Sequence, residues 1–550
     1  MKKRSGLLIL ALFFAACAPK IAPPPPVPPG MKAAEVSAPR GMVASAHPLA
    51  SQAGLDILKA GGNAVDAAMA AAFAIGVTEP NASGIGGEGM MVIYMAGTKR
   101  AIAIDYRSSA PAAAQGLKSI PASGFAASAI PGTVAGLVLA LEKYGTMPLP
   151  RVLAASIKLA EDGFAIGPTL AQIINDNFES LAKNETLAGI FCPTGLPLEA
   201  GGILRNPALG RTLRRIASGG RDEFYRGGLA EAVAAASAAG KGFIRREDLA
   251  AYRAIEREPI GGSYRGYDLI SAPPPVGGLA VVETMHILEN LDLAADPPLS
   301  ARRVHLMTEA MKRSNADWRA YVGDPDFVSI PVAGLLSKPY AKARAAEIDP
   351  AKISQKIAVG NPGRNESPST TSLSVVDRDG NMVALTQTIS DFFGAKVIAG
   401  DTGILLNNEL RNFSAGGPNS LAPGKRMRTT IAPTIVVKDG LAFATLGTPG
   451  AARILTTMAI LLSRLIDDGM GIQAAIESPR FFPVTDSELA IEPRFPAETM
   501  AALGAMGYAL TRRAEYDLYF GGAQGIVVAP GTGRRVGGAD PRRDGAVLGY

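Results

Sequence analysis

The sequence predicts a protein of the mixed α and β class, and two kinds of local pattern support this prediction. Ala-rich segments with apolar residues near the helical period recur along the chain, and the Gly-Gly-Asn sequence at 61–63 divides the first of them, 48–77, into two helices. Short runs rich in β-branched and apolar residues, such as 382–388, predict strands instead. Helices and strands are therefore expected throughout the chain.

The same patterns predict the other elements in order. Further helices are expected at residues 132–144, 150–162, 228–239, 278–290, 303–318 and 451–467. Further strands are expected at residues 90–94, 101–106, 372–377, 431–437, 441–446 and 525–528. The Pro- and Gly-rich segments 273–278 and 415–424 are expected to be loops.

Composition excludes nucleic acid as an expected partner. The chain has 550 residues, of which 47% are hydrophobic and 19% charged, so it can bury a large core. The net charge of +6 is modest for this length, and no Lys/Arg run of the kind that tracks phosphates follows the basic residues at 2–4.

Residues 1–17 predict a signal peptide. The basic start precedes an apolar run, 7–16, that is too short to span a membrane as a mature helix. The run ends in a sequence similar to a bacterial lipobox, so Cys17 is the expected site of lipidation, although Phe14 stands where Leu is usual. The alternative is ordinary cleavage after the Ala-Cys-Ala sequence at 16–18, which Pro19 disfavours.

A tether is expected at residues 18–40, where the proline run 23–29 forms an extended spacer. If Cys17 is lipidated, Cys192 has no intramolecular partner and no disulfide framework is expected. Past residue 30 no apolar stretch approaches membrane-spanning length. We expect an exported lipoprotein of the periplasm or cell envelope, anchored in the outer membrane because Ala18 rather than Asp follows Cys17.

Several common kinds of site are disfavoured. The Gly-rich sequence 84–89 fits a dinucleotide-binding pattern, but a helix precedes it and a strand follows, so we expect a structural glycine turn. The histidines, His47, His286 and His305, show no ligand spacing, and no metal or other cofactor is expected. The chain also has no Gly-x-Ser-x-Gly elbow for a Ser-His-Asp hydrolase.

A cluster of hydroxyl residues at 367–372 precedes a predicted hairpin. One explanation is structural, since Thr suits a half-buried edge strand and Ser suits the loop before it. The other is catalytic: a Thr made N-terminal by chain cleavage carries its own base, because its α-amino group has a pKa near neutrality. The Asp379-Gly380 sequence favours a hairpin turn that returns Thr388 to within about one residue of Thr370. Spacing alone makes this chemistry a possibility.

From about Met42 to Tyr550 the chain resembles the γ-glutamyltransferase (γ-glutamyltranspeptidase) family. The segments that carry the resemblance stand in family order, and they include MVASAHPLASQAGLDILKAGGNAVDAAMAAAFAIGVTEP, HLMTEAMKRSNADW, TTSLSVVDRDGNMVALTQT, GILLNNEL, LGTPGAARI and ADPRRDGAVLGY.

The resemblance implies the fold of an N-terminal nucleophile hydrolase, a four-layer α/β/β/α sandwich. It implies self-cleavage between Ser369 and Thr370 into a large subunit, 41–369, and a small catalytic subunit, 370–550, which stay associated as a heterodimer in one globular unit. Thr370 would be both the processing residue and the nucleophile, and Thr388 matches the Thr that supports it. Thr371 and Thr386 are interpreted as plain strand residues.

The resemblance also implies the acyl-transfer machinery. Thr370 Oγ would attack a γ-amide carbonyl while its α-amino group takes and returns the proton. Backbone N–H groups at Gly450 and Ala451 would meet the oxyanion. The family has Gly-Gly there, so the methyl group and narrower φ range of Ala451 are expected to alter the site slightly.

For the donor, Arg107 matches the family arginine that grips the substrate α-carboxylate, and Thr429 and Thr430 replace two serines that also bind it. Glu409 fits a position held by Glu or Gln.

Two positions depart from the family. Asn412 stands where an aspartate pairs with the substrate α-ammonium, and Ser390 replaces an Asn in the same pocket, so binding of that ammonium is expected to be weaker. The segment between Phe413 and Lys425 is also shorter than in members with a lid.

Three hypotheses follow. The first is an envelope-anchored enzyme that cleaves γ-glutamyl amides such as glutathione, by hydrolysis or by transfer to amino acids or peptides. The second keeps the nucleophile but acts on other carboxylate-bearing acyl amides, as in the related glutaryl-type cephalosporin acylases, or on γ-linked glutamate polymers. The third is a catalytically silent lipoprotein with a structural or binding role.

Overall fold

Two seven-stranded sheets lie face to face between two layers of helices. The computed structural model describes residues 35–117, 119–357 and 370–550. Within these ranges the strands are β1 (Val36–Ala38), β2 (Met42–Ser45), β3 (Glu88–Met95), β4 (Arg100–Tyr106), β5 (Phe164–Ala165), β6 (Ile203–Leu204), β7 (Ile255–Arg257), β8 (Ile260–Tyr264), β9 (Tyr267–Ser271), β10 (Thr371–Val376), β11 (Met382–Thr388), β12 (Thr434–Lys438), β13 (Leu441–Gly447), β14 (Phe481–Pro483), β15 (Glu488–Ile491), β16 (Ala509–Arg512), β17 (Gln524–Val528), β18 (Arg535–Ala539) and β19 (Ala546–Gly549).

The helices alternate with these strands along the chain. In the same ranges they are α1 (Pro48–Lys59), α2 (Ala64–Thr78), α3 (Thr133–Tyr144), α4 (Leu149–Asp162), α5 (Pro168–Asp176), α6 (Phe178–Ala182), α7 (Glu185–Phe191), α8 (Pro207–Tyr225), α9 (Gly228–Ala239), α10 (Arg246–Ala251), α11 (Gly278–Glu289), α12 (Ala301–Tyr321), α13 (Val332–Leu335), α14 (Lys338–Ala346), α15 (Arg453–Ile466), α16 (Ile472–Glu477) and α17 (Ala497–Ala505).

The first sheet has the order β19-β2-β10-β11-β3-β4-β7, with the β10–β11 hairpin near its centre. Side chains alternate between its faces, as the period of two requires. Val383 and Leu385 of β11 pack with α2 and its neighbouring helices, whereas Met382 and Ala384 face the other sheet. Both faces are therefore buried.

The second sheet has the order β1-β18-β17-β13-β12-β9-β8. Its inner face packs on the first sheet, where β13 and β17 contact β10, and its outer face is covered by helices that include α11 and α16. This is the expected four-layer α/β/β/α sandwich.

All the helices and strands expected from the sequence are present, with ends displaced by no more than three residues. Short elements such as β2 and all four helices between residues 168 and 225 were missed. The four residues of β2 are all buried, so they lack the alternation that marks a strand.

The Gly-rich sequence 84–89 forms the expected structural turn. It connects α2 to β3, and a Cβ atom on Gly87 would lie 2.3 Å from the Thr388 carbonyl oxygen. Only glycine permits this approach of two backbones.

Some expectations fall outside the described residues: the signal peptide 1–17, lipidation at Cys17, most of the tether, and Ser369 at the expected cleavage point. Cys192 is a buried free thiol. Among the residues that are described, no helix has the length and apolar character needed to cross a membrane.

Candidate active site

Thr370 lies immediately before β10, beside Thr388 on the returning strand. Thr371 pairs with Gln387 across the hairpin, which brings the two threonines together. Thr370 Oγ1 donates to Thr388 Oγ1 at 3.4 Å, and Thr388 Oγ1 accepts the backbone N–H of Ser390 at 2.8 Å. The Thr370 and Thr388 side chains are buried. The geometry thus joins a candidate nucleophile to a second hydroxyl that the backbone holds in place.

A buried charge pair lies on the other side of Thr370. Arg543 Nη1 donates to the Thr370 carbonyl oxygen at 2.8 Å and lies 3.7 Å from Glu79 Oε1. Glu79 Oε2 accepts the Thr371 hydroxyl at 2.6 Å. Thr371 is therefore a strand residue that also positions a carboxylate. Sequence reasoning missed Glu79 and Arg543, although both lie in segments that resemble the family.

Arg107 is fully buried between two carboxylates. It forms an ion pair with Glu88, and its Nη2 lies 3.6 Å from Glu409 Oε2. Burial lowers the pKa of Arg107 to about 10, which leaves it cationic at neutral pH, and burial raises the pKa of Glu409. Glu88 was also missed. Its position in the sequence could have revealed it, because Glu88 is the one charged residue in the glycine-rich sequence 84–89.

Asn412 and Ser390, the two departures from the family, lie in one pocket with Glu409. Asn412 Nδ2 donates to Glu409 Oε2 at 2.7 Å and to Ser390 Oγ at 3.0 Å. The amide therefore donates to a buried carboxylate at the place where the resemblance implies an aspartate. This pocket also contains a cation, because Glu409 is next to Arg107.

Thr430 and Thr429 have different surroundings. The Thr430 hydroxyl donates to the Ala451 carbonyl at 2.8 Å, so it supports the segment expected to form the oxyanion site. The Thr429 hydroxyl is buried and has no hydrogen-bond partner among the described residues, so it is available to a ligand. Ala451 has φ of 51° and Gly450 has φ of 129°. Ala451 thus adopts the left-handed conformation that glycine accepts at lower cost.

The short segment 413–425 folds back on the pocket residues. Ser414 N–H donates to the Asn419 carbonyl at 2.9 Å, and Asn419 Nδ2 donates to the Asn412 carbonyl at 2.8 Å. Asn419 Oδ1 in turn accepts the N–H of Arg428 at 2.7 Å. These bonds fix the backbone of Asn412.

The four-layer sandwich, with a buried Thr at the start of a central strand, defines the class of N-terminal nucleophile hydrolases. Residues 50–550 match the family model described as Gamma-glutamyltranspeptidase. The chain belongs to the γ-glutamyltranspeptidase family.

Proteins named as glutathione hydrolases and proteins named as acylases are both similar to this chain over nearly its whole length. A glutathione hydrolase proenzyme of Escherichia coli is 42% identical over 99% of this chain and 98% of its own. An acylase ACY 1 proenzyme of a Pseudomonas species is 40% identical over 92% of this chain and 93% of its own. The crystal structure of a cephalosporin acylase from Bacillus halodurans superposes with a TM-score of 0.88 at 32% identity, covering 98% of this chain and 99% of that one.

Thr388 and Thr386 offer a matched test of the hydroxyl pair. We expect Thr388→Val to lower kcat about 10- to 100-fold, because it removes the hydroxyl between Thr370 Oγ1 and the Ser390 N–H, in line with loss of a buried hydrogen bond. Thr386 Oγ1 is buried and has no hydrogen-bond partner among the described residues, so Thr386→Val should leave kcat and the thermal midpoint unchanged or raise the midpoint. Equal loss of activity in both variants would contradict this assignment.

Proposed function

We propose that the chain cleaves itself before Thr370 and then transfers γ-glutamyl groups from amides such as glutathione to water or to amino acids and peptides. The observation that carries this proposal is the buried contact between Thr370 and Thr388 at the head of the central hairpin, in a member of the γ-glutamyltranspeptidase family. The large subunit, 41–369, and the small subunit, 370–550, would remain one body, because each sheet contains paired strands from both of them.

The proposed reaction uses the new N-terminus as base. Thr370 Oγ attacks the γ-carbonyl while its proton passes to the Thr370 α-amino group, and that proton then leaves on the departing amine. The backbone N–H groups of Gly450 and Ala451 would stabilise the oxyanion. The donor α-carboxylate would bind near Arg107 and the available Thr429 hydroxyl. Water or an amine then attacks the acyl-enzyme and restores Thr370.

Glu409 supplies the charge that Asn412 lacks. A free glutamyl donor carries an ammonium, and the carboxylate held by Asn412 at 2.7 Å is a charged acceptor for it. This arrangement favours γ-glutamyl donors over glutaryl donors, which have no ammonium.

A second candidate is an acylase for glutaryl-type amides, or for γ-linked glutamate polymers. Asn412 and Ser390 favour it, because a neutral pair at this place tolerates a donor without an ammonium. The similarity to acylases is a further reason to test it.

Self-cleavage is tested by intact mass. The purified wild-type protein should give two fragments, one beginning at Thr370, whereas Thr370→Ala should stay uncut and inactive because it lacks the nucleophile. Thr386→Val is the matched control and should still be cut, because the Thr386 hydroxyl has no hydrogen-bond partner among the described residues. A single uncut species in the wild type would favour the third hypothesis, a silent lipoprotein.

The donor class is tested with Glu409→Gln. We expect this variant to raise KM for γ-glutamyl-p-nitroanilide about tenfold or more, because the ammonium loses a charge-assisted bond worth roughly 1.5–3 kcal/mol. The glutaryl anilide, which has no ammonium, should be cleaved no worse than by the wild type. If the wild type prefers the glutaryl anilide, the acylase candidate replaces the first proposal.

We also propose that the chain is exported and anchored in the outer membrane through a lipid on Cys17. The support is the lipobox-like sequence before Cys17 and the proline run that follows. In cell fractionation the wild type should sediment with outer membranes and Cys17→Ala should not. Recovery of the wild type in the soluble periplasmic fraction would reject the anchor.

A further inference from the structure

The pair Glu79 and Arg543 is buried next to the candidate nucleophile and has no role in the reaction as described above. The two side chains come from distant segments, the end of α2 and the turn between β18 and β19. They meet beneath Thr370 and Thr371, where both are buried. A buried ion pair is weak evidence for stability, because desolvation offsets much of the attraction.

The pair is asymmetric about Thr370. Arg543 Nη1 bonds directly to the Thr370 carbonyl oxygen at 2.8 Å, whereas Glu79 is held by the next residue, Thr371, at 2.6 Å. Covalent geometry puts the α-nitrogen of any residue within about 4 Å of its own carbonyl oxygen, so the guanidinium lies within about 7 Å of the Thr370 nitrogen. The cation is thus bonded to the reacting residue itself.

Arg543 is also incompletely compensated. Its Nε and Nη2 atoms are buried and have no hydrogen-bond partner among the described residues. Its carboxylate partner is 3.7 Å away. Burial lowers the pKa of Arg543 and raises that of Glu79, which is consistent with a pair whose charges are only partly satisfied.

The other charged groups nearby are already paired or hydrogen bonded. Asp540 pairs with Arg480 and Arg542, and Asp544 accepts the Thr169 hydroxyl at 2.7 Å. On the opposite side of the hairpin, Glu88 is next to Thr388 in the sheet register and pairs with Arg107. Asp540 and Asp544 also attract Arg543, which is the cation hydrogen bonded to the Thr370 backbone.

We propose that Arg543 and Glu79 are positioning residues that keep the α-amino group of mature Thr370 unprotonated, and therefore able to act as base, at lower pH than an isolated N-terminus. This rests on the proposed function of Thr370. A nearby cation disfavours the ammonium form, so it extends activity to lower pH, and Glu79 moderates this effect as the counter-charge. Neither residue transfers the proton.

The test is the acid limb of the pH profile of kcat/KM for γ-glutamyl-p-nitroanilide. Arg543→Gln should move this limb up by about one pH unit, as expected for removing a charge at this distance in a partly buried site. Glu79→Gln should move it down, because the cation then acts without its counter-charge. Arg543→Lys, which keeps a positive charge, should keep the limb near that of the wild type.

Intact mass gives the cut fraction of each variant, and rates are normalised to it. The precursor has no free amine at Thr370. The pH dependence of self-cleavage should therefore stay the same in variants whose acid limb of kcat/KM shifts. If Arg543→Gln stays uncut, the proposal is tested by Glu79→Gln alone: a shift of its acid limb to lower pH supports the proposal, and a shift to higher pH overturns it.

The proposal is overturned if the acid limb of kcat/KM stays fixed in both Gln variants, or if it moves in the same direction in both. If both Gln variants stay uncut while Arg543→Lys is cut, the pair serves folding or cleavage and the proposal fails. An inactive wild type would instead reject the proposed function of Thr370.

Discussion

The site depends on the register of the β10–β11 hairpin. Thr370 and Thr388 meet only because Thr371 faces Gln387, and a shift of one residue would turn every side chain of the strand to the opposite face. Burial of both faces of the first sheet opposes such a shift. At the turn, the Asp377 carboxylate accepts the N–H groups of Asp379 and Asn381 and fixes where the chain reverses.

Buried charge is the second constraint, and it follows from the first. A hairpin enclosed between a helical layer and a second sheet buries the end that carries Thr370 and Thr388, and each ionised group buried there needs a partner. Arg107 is therefore found between Glu88 and Glu409, and Arg543 beside Glu79. These pairs give the two sides of Thr370 different electrostatic surroundings, one at the proposed donor pocket and one at the Thr370 backbone.

The departures from the family change the site in ways that compensate one another. Asn412 removes a carboxylate but holds another, Glu409, in contact with its amide. Ala451 brings a methyl group to a left-handed position, and the Thr430 hydroxyl binds its carbonyl. Asn412, Ser390 and Ala451 are thus held by hydrogen bonds, which fix the shape of the proposed donor pocket.

The sequence by itself determined the fold class, the elements with clear periodicity, the hairpin that joins Thr370 to Thr388 and, through resemblance, the family. These features are local or carried by contiguous segments, so short-range physics and motifs are enough. Only the tertiary structure decided that Glu88 pairs with Arg107, that Asn412 holds Glu409, and that Arg543 reaches Thr370 across 173 positions of sequence. The reason is that the partner of a buried charge comes from whichever distant segment folding places beside it. The separation of two residues along the chain does not predict such a contact.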